Sequence, residues 1–151
     1  MNLHGYLYGY SDTTISGRGN RGHRIYCSNR NNRCGCGRTF SVLFSHFIRN
    51  LSVQSFNLWM FLQHILNGLT LINSMNLLDT TLSNQCWYDL YHRFKMKQSF
   101  IRTRLMSVKD PPLLPKVTNV IHQTIFHLKA SFYFSSDPIS SYQNHFQRSF
   151  I

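Results

Sequence analysis

The sequence predicts a mainly α protein, with a small N-terminal β hairpin followed by a helical bundle. Three observations carry that expectation. Leu3, Tyr6, Tyr8 and Tyr10 are apolar or aromatic with Gly5 and Gly9 between them, which suits short strands. Apolar side chains recur every three or four positions through much of the chain from residue 53 to residue 108. Asp110-Pro111-Pro112-Leu113-Leu114-Pro115 then breaks the helical pattern and makes a stiff link. A chain of 151 residues with 42% hydrophobic content suits one compact domain or two small ones. The breaks divide it into 1–41, 42–110 and 111–151.

The elements follow in order. Residues 1–23 read as short strands and a turn, with 16–22 a glycine-arginine loop too flexible for a strand interior. Arg24-Ile25-Tyr26 resumes an extended segment. Helical signals begin after Thr39. Ser52 is placed to cap a helix over 53–67 that Gly68 stops, with Phe56, Trp59, Met60, Leu62, Ile65 and Leu66 on a broad apolar face. A shorter helix follows over 69–78, and then a turn, Asp79-Thr80-Thr81-Leu82-Ser83, rich in capping residues. A long helix is expected over 84–108, with Trp87, Tyr91, Phe94, Ile101 and Leu105 inward. Residues 116–130 form another, with Val120, Ile121, Ile125 and Leu128 inward, and Pro138 starts a last one over 139–149.

Charge points to a polyanionic partner. There are 16 Lys and Arg against 5 acids, a net charge of +11, and no Glu at all. Residues 1–50 hold seven Arg and one Asp, residues 51–80 hold only Asp79, and residues 81–110 hold six basic residues against Asp89 and Asp110. Two basic blocks thus flank an uncharged one, which predicts two binding surfaces around a buried helix. The uncharged run is interrupted by Asn57, Gln63, His64, Asn67, Gly68, Asn73 and Asn76, whereas a spanning helix wants ~20 predominantly apolar residues. A membrane partner is therefore not expected. Met1-Asn2-Leu3-His4-Gly5 lacks a basic start and an apolar run, so no secretory signal is read and a cytoplasmic, nucleoid-associated protein is expected.

The cysteines give the sharpest motif. Cys27, Cys34 and Cys36 lie within ten residues, glycines flank Cys36, and arginines surround all three. In a reducing compartment this reads as metal binding rather than a disulfide framework. Zinc wants four ligands in a tetrahedron. Cys27 and Cys36 are the expected pair, with Cys34 either incidental or a third ligand, and His4 and His23 are candidates for the remaining position. The alternative is a defective site that holds no metal. Cys86 stands apart and reads as a buried apolar residue.

A glycine-containing strand, a loop, a basic-aromatic-Cys strand and the ending Cys36-Gly37-Arg38-Thr39-Phe40 resemble the second half of the zinc ribbon at the N-terminus of many bacterial insertion-sequence transposases. The likeness covers about residues 4–41. In that family a Cys-x-x-Cys pair precedes the first strand. Here Met1 stands about where that pair would just have ended, which fits either a start placed too far downstream or a degraded copy. A short helix, a turn and a longer basic helix within 53–106 are also the parts of a helix-turn-helix unit, and that unit after a ribbon is likewise transposase-like. The resemblance implies DNA recognition. It does not extend to catalysis: such enzymes hold two divalent metals on an acidic triad, whereas this chain has no Glu and five scattered Asp.

The expectation is a DNA-binding, non-enzymatic protein. Arg18, Arg21, Arg24, Arg30, Arg33 and Arg38 are read as phosphate contacts, joined by Arg93, Lys97 and Arg104 of the long helix. Asn84, Gln85 and Tyr88 are placed for base edges. No small-molecule substrate is expected: the eight His are dispersed, no carboxylate pair is close in sequence, and no phosphate-loop motif is present. The competing expectation is a helical protein-interaction module with passive basic charge.

Overall fold

The structure is a computed structural model that describes residues 2–13, 18–28, 34–113 and 119–151. A three-stranded antiparallel sheet, ordered β1-β2-β3, precedes five helices among these residues. The strands are β1 (Asn2–Gly9), β2 (Gly19–Tyr26) and β3 (Thr39–Leu43). The helices are α1 (Ser55–Leu66), α2 (Leu71–Asn76), α3 (Asn84–Leu105), α4 (Val120–Ser131) and α5 (Pro138–Phe146). The mainly helical class with a β N-terminus is therefore as the sequence indicates.

The sheet is larger than a hairpin. Thr39-Phe40-Ser41-Val42-Leu43, read as the approach to a helix, is instead a strand paired with β2 from Gly22↔Leu43 to Tyr26↔Thr39. Thr39, Phe40 and Val42 are of the β-branched and aromatic types that suit a pleated surface. Gly19 to Gly22, read as loop, belongs to β2. Gly22 permits this pairing by close approach, since a Cβ there would lie 2.1 Å from the Val42 carbonyl oxygen.

The register of β1 against β2 shifts between Leu7↔Gly22 and Tyr8↔Asn20, which leaves Arg21 as the extra residue of a bulge. Bulges re-aim side chains. Arg21 runs over Gly9, where a Cβ would lie 2.6 Å from its Cδ. Its guanidinium donates to the Ile48 carbonyl at 3.1 Å and to the Leu51 carbonyl, and it stacks on the Phe47 ring at 4.6 Å.

The hydrophobic core begins at Ile48 and draws its buried side chains from there onward. Trp87, Phe61, Phe94, Leu62, Ile125, Tyr142 and Phe150 lie at its centre. None comes from the three strands. Burying each such side chain contributes about 1.5–3 kcal/mol, so the helices hold themselves together and the sheet is an attached appendage. Besides the ring contacts that reach Phe47, its attachments are polar. Asp12 is fully buried; its Oδ2 accepts the Gln54 amide at 3.1 Å and the Asn57 side-chain amide at 2.9 Å, while its carbonyl accepts the Thr81 amide at 2.7 Å. Beyond β3, Gln143 of α5 donates to the carbonyls of Ser45 at 2.6 Å and Phe47 at 3.0 Å.

Helix starts correct one expectation and match others. Ser52 does not cap α1. The N-cap is Gln54, whose own side chain makes no capping bond, and Asp12 takes its amide instead. The buried face of α1 carries Leu58, Trp59, Phe61, Leu62 and Ile65, so Phe56 turns outward. Ser83 caps α3 as its place in the turn suggests, accepting the Cys86 amide at 3.4 Å, and α3 buries Trp87, Leu90, Phe94, Ile101 and Leu105. Cys86 precedes Trp87 by one position, about 100° around the helix, and is exposed rather than buried. Asn119 caps α4, where Val120 faces solvent while Ile125 and Leu128 are buried; residues 116–118 of the expected helix lie outside the described residues. Asp137 caps α5 with Pro138 in its first turn, and Gln147 ends it in the left-handed region.

Candidate nucleic-acid interface

The cysteine turn hangs from the β2–β3 end of the sheet. The Cys27 amide donates to the Arg38 carbonyl and the Gly37 amide to the Cys27 carbonyl, both at 2.9 Å, with Gly37 at φ +65. This closure brings Cys36 back over Cys27, and the Cys36 amide donates to Cys27 Sγ at 3.4 Å. The backbone N–H and side chain of Cys36 hold the Cys27 thiol pKa below the usual 9.0. The shift increases the share of thiolate, the form a metal ligand or nucleophile requires.

The other candidate ligands are not brought to that pair. His23 lies four residues back along β2, about 13 Å away in an extended strand, and its ring packs between Tyr6 at 5.4 Å and Phe44 at 5.2 Å. The His4 ring lies against Tyr26 at 6.1 Å, and Tyr26 alternates to the opposite face from Cys27. Cys34 is exposed. Among the described residues, no group of three or more His, Cys, Asp or Glu is placed to hold a metal ion. Cys27 and Cys36 fit zinc as a pair but are two ligands short of a tetrahedron.

The basic residues sort into free and engaged. Arg18, Arg24 and Arg38 of the N-terminal region are exposed. Arg21 is not a free phosphate contact: the bulge turns it inward onto two carbonyls, where burial lowers its pKa and the Asp12 charge opposes that. Arg30 and Arg33 lie outside the described residues. On α3, Arg93 and Lys97 are exposed, as is Lys95, whose Nζ sits 5.8 Å from the Tyr91 ring centre. Arg104 is engaged in packing. It stacks on Phe100 at 3.9 Å and donates to the Tyr142 hydroxyl at 3.3 Å, because its helical position faces α5. At the start of α3, Asn84 and Tyr88 are exposed, and Gln85 donates to Asp89 Oδ1 at 3.1 Å.

Sequence reasoning missed Asp12, Arg49 and the sheet's aromatic row. Asp12 is the one acid of residues 1–50, and its burial leaves that segment with no exposed carboxylate. Arg49 is exposed beside the start of the helical bundle. The row runs Tyr8, Tyr6, His23, Phe44, His46, Phe47, with successive ring centroids 6.2, 5.4, 5.2, 5.5 and 4.4 Å apart. The period-two tyrosines were its only local signal; the register that adds His23 and Phe44 is tertiary.

Among the described residues no helix is long and apolar enough to cross a membrane. No family model, curated protein or solved structure matches this chain.

Proposed function

We propose that this is a non-catalytic DNA-binding protein that resembles the recognition part of a transposase. The observation that carries the reading is the sign of the exposed surface. The only acid in residues 1–50 is buried, while Arg18, Arg24, Arg38 and Arg49 are exposed. Arg93 and Lys97 form a second exposed cationic patch on one flank of α3, separated from the first in sequence by the uncharged α1. Exposed Asn84 and Tyr88 at the start of α3 suit base edges in a major groove, with the neighbouring cations on phosphates. Cys27 and Cys36 are the sulfur pair that a zinc ion would use in this turn.

Counterion release then sets the affinity. The test is a titration of duplex DNA at several salt concentrations. The reading requires tight binding at low salt and a log–log slope of several units. Binding absent at low salt, or indifferent to salt, overturns it. A second reading, a protein-interaction module, is favoured by exposed apolar rings such as Tyr133 and Phe134 after α4. A partner retained equally after nuclease treatment would select it.

A further inference from the structure

We infer that the aromatic face of the sheet is a stacking platform for single-stranded DNA, with bases on Tyr6 and Tyr8 and phosphates on Arg18 and Arg38. This rests on the DNA-binding reading and names the form of DNA that one of its two surfaces takes.

Four observations lead there. First, the rings serve no core. Tyr6 is 50%, Tyr8 62%, Tyr10 56% and Phe40 44% exposed, and none belongs to the buried cluster. Second, they share one face. Tyr6 pairs with His23, His23 with Val42, Leu3 with Ile25 and Ile25 with Phe40, and paired residues of a sheet project to the same side. Tyr8 joins them through its ring contact with Tyr6, 6.2 Å between centroids. His23 and Phe44 continue this surface as an edge-to-face pair at 5.2 Å. Third, its charge is of one sign. Arg18 lies 5.4 Å over Tyr10, Arg38 stands two residues before Phe40 in the same alternation, and the region has no exposed acid. Arg24 pairs with Gly5 and Ser41 on the other face and is not part of the platform.

Fourth, the shape selects the strand state. A duplex hides its base faces in its own stack and offers edges in a groove that admits a helix or a two-stranded ribbon. A flat aromatic surface rimmed by guanidiniums matches bases that are already unstacked, and it reads them with little sequence preference. A protein partner would be expected to bring an apolar face of its own. The exposed cations flanking the platform, Arg18 over Tyr10 and Arg38 two residues before Phe40, favour a polyphosphate running across it instead.

The experiment is a fluorescence-anisotropy titration of the full chain with labelled oligothymidine, with an equally long duplex and with oligouridine. The wild type is compared with Tyr6→Ala/Tyr8→Ala and Tyr6→Phe/Tyr8→Phe. The alanine pair should weaken oligothymidine binding about tenfold or more, leave duplex binding within about twofold, and be rescued by the phenylalanine pair. Equal loss on both DNAs, no loss on oligothymidine, or binding of oligouridine alone overturns the proposal. If the wild type binds duplex with a steep salt slope but not oligothymidine, the platform is wrong and the DNA-binding reading stands. If it binds neither, both fail. Should the alanine pair fail to fold, ultraviolet cross-linking of bromouracil-substituted single strands to the wild type decides. Cross-links at Tyr6 or Tyr8 support the platform, and cross-links confined to α3 overturn it.

Discussion

The Asp12 carboxylate caps a helix whose N-cap residue lies 42 positions later, accepting the Gln54 amide at 3.1 Å. Gln54 provides no capping oxygen of its own. The helix and the sheet are thereby joined at one buried acid, which also faces the positive charge of Arg21.

Replacing Asp12 by alanine removes the cap and leaves the Gln54 and Asn57 donors in a buried site. We expect a loss of about 2–4 kcal/mol, seen as a thermal midpoint lower by roughly 5–15 °C. An unchanged midpoint would mean that the helical core holds α1 without help.

Arg21→Ala and Arg38→Ala should separate structure from binding. Arg21 holds the Ile48 and Leu51 carbonyls, so its loss lowers the melting temperature and leaves the salt slope of DNA binding unchanged. Arg38 is exposed, so its loss spares stability and lowers the slope by about 0.7–0.9 per phosphate contact. The reverse pattern would show that Arg21 swings out to bind.

Gly22→Ala sets a methyl group against the Val42 carbonyl. Because the strands contribute nothing to the buried cluster, the damage stays local. Hydrogen exchange should speed up in 39–43 while α3 keeps its protection. Global unfolding would contradict the view of the sheet as an appendage.

The Cys27 thiol should be alkylated at lower pH than the exposed Cys86, because the Cys36 amide stabilises its thiolate. In linkage terms, its folded pKa lies below the unfolded value. The stabilisation is therefore present above the unfolded pKa and is lost as pH falls through the folded one. Mass-spectrometric labelling across a pH series reads this directly, and equal rates at the two sites would refute it.

Tyr142 gives the opposite sign. Burial raises its phenol pKa above 10.0, and the Arg104 hydrogen bond and charge only partly oppose this. Its contribution is intact below the unfolded pKa and is lost as pH rises through the folded one. Alkaline unfolding above pH ~10 should be blunted in Tyr142→Phe, which keeps the ring packing against Phe150. Identical alkaline profiles for the two proteins would count against it.

Helices were legible because their signals are local. The spacing of Trp87, Phe94, Ile101 and Leu105, the cap at Ser83 and the proline at 138 act within a turn or two of themselves, so periodicity and capping suffice to find α3 and α5. The excess of basic residues is likewise additive and needs no fold. The strand at 39–43 and the inward path of Arg21 were not legible. Each depends on which residues face each other across the sheet, and a single bulge changes that.

The candidate site divides along the same line. Composition alone settles that residues 1–50 hold a single acid, and the spacing of the cysteines suffices to single out Cys27 and Cys36 as a pair. Only the tertiary structure decided that this acid is buried under α1, that His23 joins a row of rings rather than the cysteines, and that Arg104 packs on α5. Those outcomes are set by contacts between residues tens of positions apart, through pairing register and burial, and no pattern within a few residues encodes them.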